Sequence, residues 1–348
     1  MGRQRVTLQT IADRIGVSRT TVSNAFSRPD QLSEELRDRV LGAARELGYA
    51  GPDPAARSLR AGVAGAVGVL LTESLTYAFD DPYATTFLKG IASATAPEAL
   101  SLLLIPVPPG HLQEHAVRRA VVDAICVYSM PEGHPVIDIA LSRGVPVVFA
   151  DGPESPEHPF VGADERAAAG AMVEHVLATG RRRIGIITFR VADDEVTGDV
   201  DDARLECGVY RVGVQRLQGM LTAAATAGLA RTDTRIVEAG LNVTEGGRRA
   251  AAELLDGQHP PDAIVCLSDQ LAAGALAELS ARGMPVPDAV AVTGWDDTPL
   301  ARQLDLTTVH QPGAEKGHIA GRWLVEGLRE PRREILPTRL VVRGSTGG

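Results

Sequence analysis

From Ala66 onward the chain repeats a short, uninterrupted apolar run: AVGVLL (66–71), LSLLLI (100–105), AICVY (124–128), VPVVFA (145–150), IGIIT (184–188), AIVCL (263–267) and VAVTGW (290–295). Alanine-rich stretches with helical spacing, such as ERAAAGAMVEHVLATG and DQLAAGALAELSARG, separate them. A strand with one wet face alternates apolar and polar residues, whereas a run apolar at every position must be covered on both faces. Buried strands alternating with helices predict parallel sheets with helices on each side. With RIVEA and LPTRLVV the runs number about nine, too many for one small sheet, which predicts two similar lobes. Aromatic residues make up only 4% of the chain, so Val, Leu, Ile and Ala must build these cores. Asp193–Glu206 breaks the rhythm with seven carboxylates and reads as an exposed loop or insertion.

The first 50 residues follow a different pattern, that of three short helices. Thr7 is placed to cap a helix whose apolar residues, Leu8, Ile11, Ala12 and Ile15, form one stripe, and Gly16 can end it. Ser18 caps a second helix within VSRTTVSNAF, where Val17, Val22, Ala25 and Phe26 are apolar and Arg19, Thr20, Ser23 and Asn24 are polar. Ser33 caps a third, with Glu34 and Glu35 in its first turn and Gly48 closing it. Two helices joined by a tight glycine-containing turn predict a helix-turn-helix. The stretch AGPDPAARSLRAG then reads as a linker with at most a turn or two of helix at Ala55–Arg60, marginal on its own.

Charge supports the division. Residues 1–62 hold ten Arg against seven Asp and Glu, leaving +3, while the remainder carries −12. A basic head on an acidic body suits a protein that touches a polyanion at one end. No apolar run approaches membrane-spanning length and the N-terminus lacks a signal-peptide pattern, so a cytoplasmic protein without membrane partners is expected. The cysteines Cys126, Cys207 and Cys266 have no spacing for zinc or a disulfide framework, and Cys126 and Cys266 read as buried thiols.

Taken together, these residues resemble the LacI/GalR family of bacterial transcription regulators. The head VTLQTIADRIGVSRTTVSNAFSRPDQLSEELRDRVLGAARELGY is similar to that family's signature throughout. PAARSLRAG looks like its hinge helix, and RRRIGIIT, QRLQGMLTAAATAGL, LSDQLAAGAL, VAVTGWDDTPLA and LTTVHQP follow in family order. The implied fold is α/β: a three-helix helix-turn-helix head plus hinge helix, then a periplasmic-binding-protein-like core of two doubly wound lobes. The implied divisions are a DNA-binding domain at 1–50, a hinge linker at 51–63 and an effector-binding and dimerisation core at 64–345. Lobe one takes about 64–162 and 312–332, and lobe two about 163–309 and 333–345.

The resemblance implies a regulator, expected to be a repressor, that binds a pseudo-palindromic operator as a homodimer and answers to a sugar or polyol effector. It implies no enzymatic activity, no cofactor and no metal. For DNA it points to Arg19 and Thr20 as base readers, with Ser18 and Thr21 near phosphates and Thr7 a further DNA contact. Asn24 stands where many members have Arg; it suits adenine, or else a phosphate. Leu59 would be an apolar wedge in the minor groove with Ala56 beside it. For effector it implies Arg216, Ser268, Asp269 and Asp296, the last serving either as hydroxyl acceptor or as a turn cap. Trp295 offers a stacking face or core packing, and Thr72, Glu73, Tyr83 and Asp151 are open between ligand contact and lobe packing.

Two rival readings compete. HLQEH, His111 to His115, fits the H-x-x-E-H pattern of a metal-dependent hydrolase, although a solvated helix explains it equally. A solute-binding protein would share the body but have no use for residues 7–60.

Overall fold

The computed structural model describes residues 6–51, 62–110 and 113–347. Ala56, Leu59, the hinge turn expected at Ala55–Arg60, and His111 therefore lie outside the described residues. The chain forms two compact units, Met1–Ala64 and Gly65–Gly348.

The first unit contains α1 (Leu8–Ile15), α2 (Arg19–Ser27) and α3 (Glu34–Glu46). Thr7 accepts the Thr10 amide while the Thr10 hydroxyl accepts the Thr7 amide, a reciprocal capping box. Gly16 ends α1 at φ 71, a conformation that strains any residue with a Cβ. Ser18 caps α2 and Ser33 caps α3 through their hydroxyls. The core is small: Ile11, Ala12, Val22, Ala25, Val40, Ala43 and Ala44 are buried, and Phe26 meets Tyr49 edge-on at 5.8 Å. At roughly 1 kcal/mol each, the caps matter more here than in a large domain.

Among the described residues the second unit holds two large sheets and a two-stranded one. Strands β1 (Ala66–Leu71), β2 (Ser101–Pro106), β3 (Ala124–Tyr128), β4 (Val147–Ala150) and β5 (Phe160–Ala163) are interleaved with α4 (Leu75–Asp80), α5 (Pro82–Thr95), α6 (Glu114–Arg119) and α7 (Pro135–Ser142). The chain then passes to the second sheet through α8 (Glu165–Ala178). There it lays down β6 (Ile184–Thr188), β7 (Gly198–Asp199), α9 (Asp202–Glu206), α10 (Arg211–Thr226) and β8 (Thr234–Glu238). Next come α11 (Thr244–Leu255), β9 (Ala263–Cys266), α12 (Asp269–Ala281), β10 (Ala291–Thr293), α13 (Pro299–Gln303) and β11 (Thr308–His310). It returns through α14 (Gly313–Val325) and β12 (Arg333–Leu336), and ends with β13 (Arg339–Val341) paired antiparallel to β11.

The first sheet has the order β12-β5-β4-β3-β1-β2, parallel throughout. The second runs β10-β9-β6-β8-β7, parallel except for the short edge strand β7. β3, β4 and β6 are buried at every position, as the unbroken apolar runs require, and Cys126 and Cys266 are fully buried. The paired helices cross almost backbone to backbone. A Cβ built on Gly90 of α5 would collide with the Ala314 carbonyl oxygen of α14, and one on Gly317 with the Phe87 carbonyl oxygen.

Three expectations need correction. Four strands beyond the nine expected, β5, β7, β11 and β12, are two to four residues long and lie outside the apolar runs that marked the others. Arg333–Leu336 lies in the first sheet, paired with β5, so the return to the second lobe follows Leu336 rather than starting at residue 333. Asp193–Glu206 is no free loop. It carries β7 and α9, and Arg204 ties it down by ion pairs to Asp194 at 2.6 Å and Glu238 at 2.9 Å.

Candidate DNA-reading face and ligand cleft

On the head, the apolar side of α2 is committed to the core through Val22 and Ala25, which turns its other side outward. Ser18, Arg19 and Thr20 are exposed, and Thr21 and Asn24 are half-buried. Thr7 and Ser18 act as helix caps, and the Ser18 hydroxyl also lies 2.8 Å from that of Thr21. Asn24 Nδ2 donates to Gln31 Oε1 at 3.3 Å, so the short helical turn after α2 holds the amide in place. The first turn of α2 thus presents a long cation and short hydroxyls, groups that hydrogen-bond base edges and phosphates.

In the second unit, loops at the C-terminal ends of β1, β3 and β4 meet those following β6, β8, β9 and β10 around a cavity of about 140 Å³. This is the crevice where open α/β sheets bind ligands. Thr72, Glu73, Tyr83, Asp151, Arg216, Ser268 and Asp296 all line it. Three lining residues, Ser129, Asp151 and Asp296, have φ of 52°, 62° and 107°. Non-glycine residues hold that left-handed backbone only where the surroundings enforce it, and such positions cluster at binding sites.

Two of the expected residues do not line the cavity. Trp295 is fully buried behind the wall, and the Arg216 guanidinium stacks on its ring at 4.3 Å. Asp269 is likewise inside the second lobe. It accepts the Thr298 amide and hydroxyl at 2.8 and 2.9 Å and the Thr308 hydroxyl at 2.7 Å. Burial pushes its carboxyl up to about 6 despite those bonds. Both are supports, because each follows a strand whose end turns its neighbour, Ser268 or Asp296, toward the cavity.

The floor is a buried polar network. Arg216 donates through Nε to Glu165 at 2.7 Å and through Nη1 to the Leu267 carbonyl at 2.7 Å. Burial would raise the Glu165 carboxyl, but Arg216 and Lys316 outweigh it and hold the group below its usual range. Lys316, fully buried on α14, donates to Asp151 and to Gln311 Oε1. Gln311 also accepts from the Tyr83 hydroxyl at 3.1 Å and donates to Asp296, so one amide links side chains of both lobes. Burial drives the Asp296 carboxyl well above its ordinary value, with Asp269 adding to the shift and Arg216 opposing it. Across the opening Glu73 pairs with Arg190, again joining the lobes.

Tyr77, Asp81, Tyr128, Phe189, Arg190, Tyr210 and Asn242 also line the cavity and were not anticipated. A signal for them existed: four of the five tyrosines in this aromatic-poor chain, residues 77, 83, 128 and 210, converge here. Glu165 and Lys316 had no such signal, since a charged residue on a helix reads as solvated, and Gln311 lies in a short connection with no pattern to mark it. For the HLQEH stretch, Glu114 begins α6 and His115 is exposed. Among the described residues no cluster of three or more His, Cys, Asp or Glu could hold a metal, and no helix is long and apolar enough to cross a membrane.

Known proteins match both units of the chain. Residues 7–51 match the pattern of bacterial regulatory proteins of the lacI family, and residues 173–346 that of a periplasmic binding protein-like domain. The HTH-type transcriptional regulator IpsA of Corynebacterium glutamicum is 41% identical over 334 residues, spanning 94% of this chain and 93% of that protein. A crystal structure of a LacI-family transcriptional regulator from C. glutamicum superposes with a TM-score of 0.76 at 35% identity, over 99% of this chain and 100% of the other. The complex of the transcriptional regulator CelR with cellobiose superposes at 0.70 and 26% identity, over 98% and 100%.

Proposed function

The chain belongs to the lacI family of bacterial regulatory proteins and is a DNA-binding transcriptional regulator, not an enzyme; from that premise we propose that it is a homodimeric repressor whose hold on a pseudo-palindromic operator is set by a sugar or polyol. The observation that carries this reading is the cavity itself, walled by strand ends of both lobes and joined across them by Gln311 and the Glu73–Arg190 pair. A ligand that prefers one spacing of the lobes changes their equilibrium by its differential affinity. If that spacing is coupled to the operator-binding state, DNA must change effector affinity by the same factor. The cellobiose bound to CelR supports a polyhydroxylated effector, as do tyrosine faces and paired donors and acceptors, since each sugar hydroxyl both donates and accepts.

At the DNA end, Arg19 and Thr20 read bases, Ser18 and Thr21 sit near phosphates, Thr7 is a further DNA contact, Asn24 meets an adenine or a phosphate, and Leu59 with Ala56 enters the minor groove at the operator centre. The test is operator binding by the full chain, with and without a panel of sugars and polyols. Two protomers per palindromic site and an effector-dependent affinity are expected. Binding as a monomer to a half-site, or a DNA affinity that no member of the panel alters, would overturn the reading. Unchanged operator affinity in L59A would remove the wedge from it.

A further inference from the structure

The charge of the effector can be inferred from the cavity, on the premise that the cleft takes a polyol. Proteins hold anionic ligands with Arg or Lys side chains and with open amides at helix N-termini. Each cation at this cavity is already matched within the protein. Arg190 pairs with Glu73, Arg216 with Glu165 and the Leu267 carbonyl, and Lys316 with Asp151. Two helices that begin at the rim are capped from within. Asp81 accepts the Tyr83 amide of α5 at 2.9 Å, and the Ser268 hydroxyl accepts the Leu271 amide of α12 at 3.1 Å. Helix α10 starts without a side-chain cap and supplies only about half a unit of positive charge.

What remains is acceptor. Asp81 and Asp296 line the cavity, and among the described residues neither has a cation within ion-pair distance. Burial raises both carboxyls, Asp296 the more strongly. A protonated Asp296 would offer one O–H, which suits a hydroxyl but supplies no countercharge to an anion. A donor is open as well: among the described residues Arg190 Nε is buried at the cavity wall without a hydrogen-bond partner, while the guanidinium charge is taken by Glu73.

We propose that the cleft accepts an uncharged polyhydroxylated ring and rejects its phosphate esters and its acids, so that the regulator reports the sugar pool before phosphoryl transfer or oxidation has acted on it. The test is calorimetric and thermal-shift binding to the full chain with matched probes: cellobiose and cellobionate, and glucose, glucose 6-phosphate and glucuronate. Inorganic phosphate at constant ionic strength forms a second arm. The neutral member of a set should bind, with its charged forms at least about 100-fold weaker. Phosphate should give the wild type no stabilisation that R190Q removes. E73Q, which frees Arg190, should gain one; should E73Q not fold, D81N, which removes an unmatched carboxylate, takes its place.

A charged probe that binds tighter than its neutral parent would overturn the proposal, as would phosphate stabilisation of the wild type that R190Q abolishes. Identical phosphate responses of the wild type and the charge-altered variant would overturn it too. If no probe sugar binds in any form, the polyol reading fails by itself, and the phosphate arm still decides the matter of charge.

Discussion

Replacing Arg216 by Met keeps an unbranched apolar stem and removes the guanidinium with its charge and donors. In the native cleft Arg216 neutralises Glu165, satisfies the Leu267 carbonyl and covers the Trp295 ring. Glu165 is 1% exposed and its Oε1 already lacks a partner, so it has no water to turn to when Arg216 is gone. Breaking a buried pair in this way costs about 3–5 kcal/mol. The stranded Leu267 carbonyl adds about 1–3 kcal/mol, and Met recovers part of the packing. A net loss of roughly 4 kcal/mol is large beside a total stability of about 5–15 kcal/mol, yet leaves the body folded. Both tryptophans, Trp295 and Trp323, lie in the second unit, so denaturant unfolding followed by tryptophan fluorescence reports on that unit rather than on the head.

The sign of the pH dependence is determined as well. In the wild type the Glu165 carboxyl is held below its unfolded value, so its stabilisation is complete above the unfolded pKa and fades as pH falls through the folded one. In R216M burial prevails and the carboxyl titrates higher, so the deficit should be greatest at pH 7 and shrink toward pH 5. E165Q/R216M, with both charges removed, should recover at least about half of the loss. A single-variant cost under about 1 kcal/mol at pH 7, or a double variant no better than the single, would refute the reasoning.

Three further outcomes are expected. G317A places a methyl group against the Phe87 carbonyl where α14 crosses α5; a loss of about 1–3 kcal/mol should appear in denaturant melts, and a neutral effect would mean the crossing is looser than it looks. Asp269, titrating at about 6 folded against an unfolded value near 3.8, binds more protons folded, so its contribution is fully present below the unfolded pKa and is lost as pH rises through 6. The stability advantage of wild type over D269N should therefore narrow by up to about 3 kcal/mol between pH 4 and 7, and a constant gap would contradict this. N24R should change which sequences are recovered in operator selection if Asn24 reads a base; a uniform change of affinity across all sequences would assign it to phosphate.

The two lobes, the parallel sheets and the helix-turn-helix were legible because each rests on a local signal: unbroken apolar runs, capping residues before a helical stripe, glycine at a left-handed stop. The cavity was legible in part. Thr72, Glu73, Asp151, Ser268 and Asp296 follow strands closely enough for the position to be read. Asp269 misled and Trp295 took its core-packing alternative because residues adjacent in a turn face opposite ways, and the backbone at Asp296, with φ 107°, turns that residue toward the cavity. Arg204 shows the same limit, since one partner, Asp194, comes from the far end of the acidic segment and the other, Glu238, from strand β8.

The amino-acid sequence by itself determined the order of elements, the placement of the cores and the family, because hydrophobic periodicity and capping act within a few residues. Only the tertiary structure decided which charges are matched. Glu165 meets Arg216 across 51 positions, Asp151 meets Lys316 across 165, and Glu73 meets Arg190 across 117. A charge bears on another only through distance in space and the water excluded between them, and in this chain folding of the two lobes sets both.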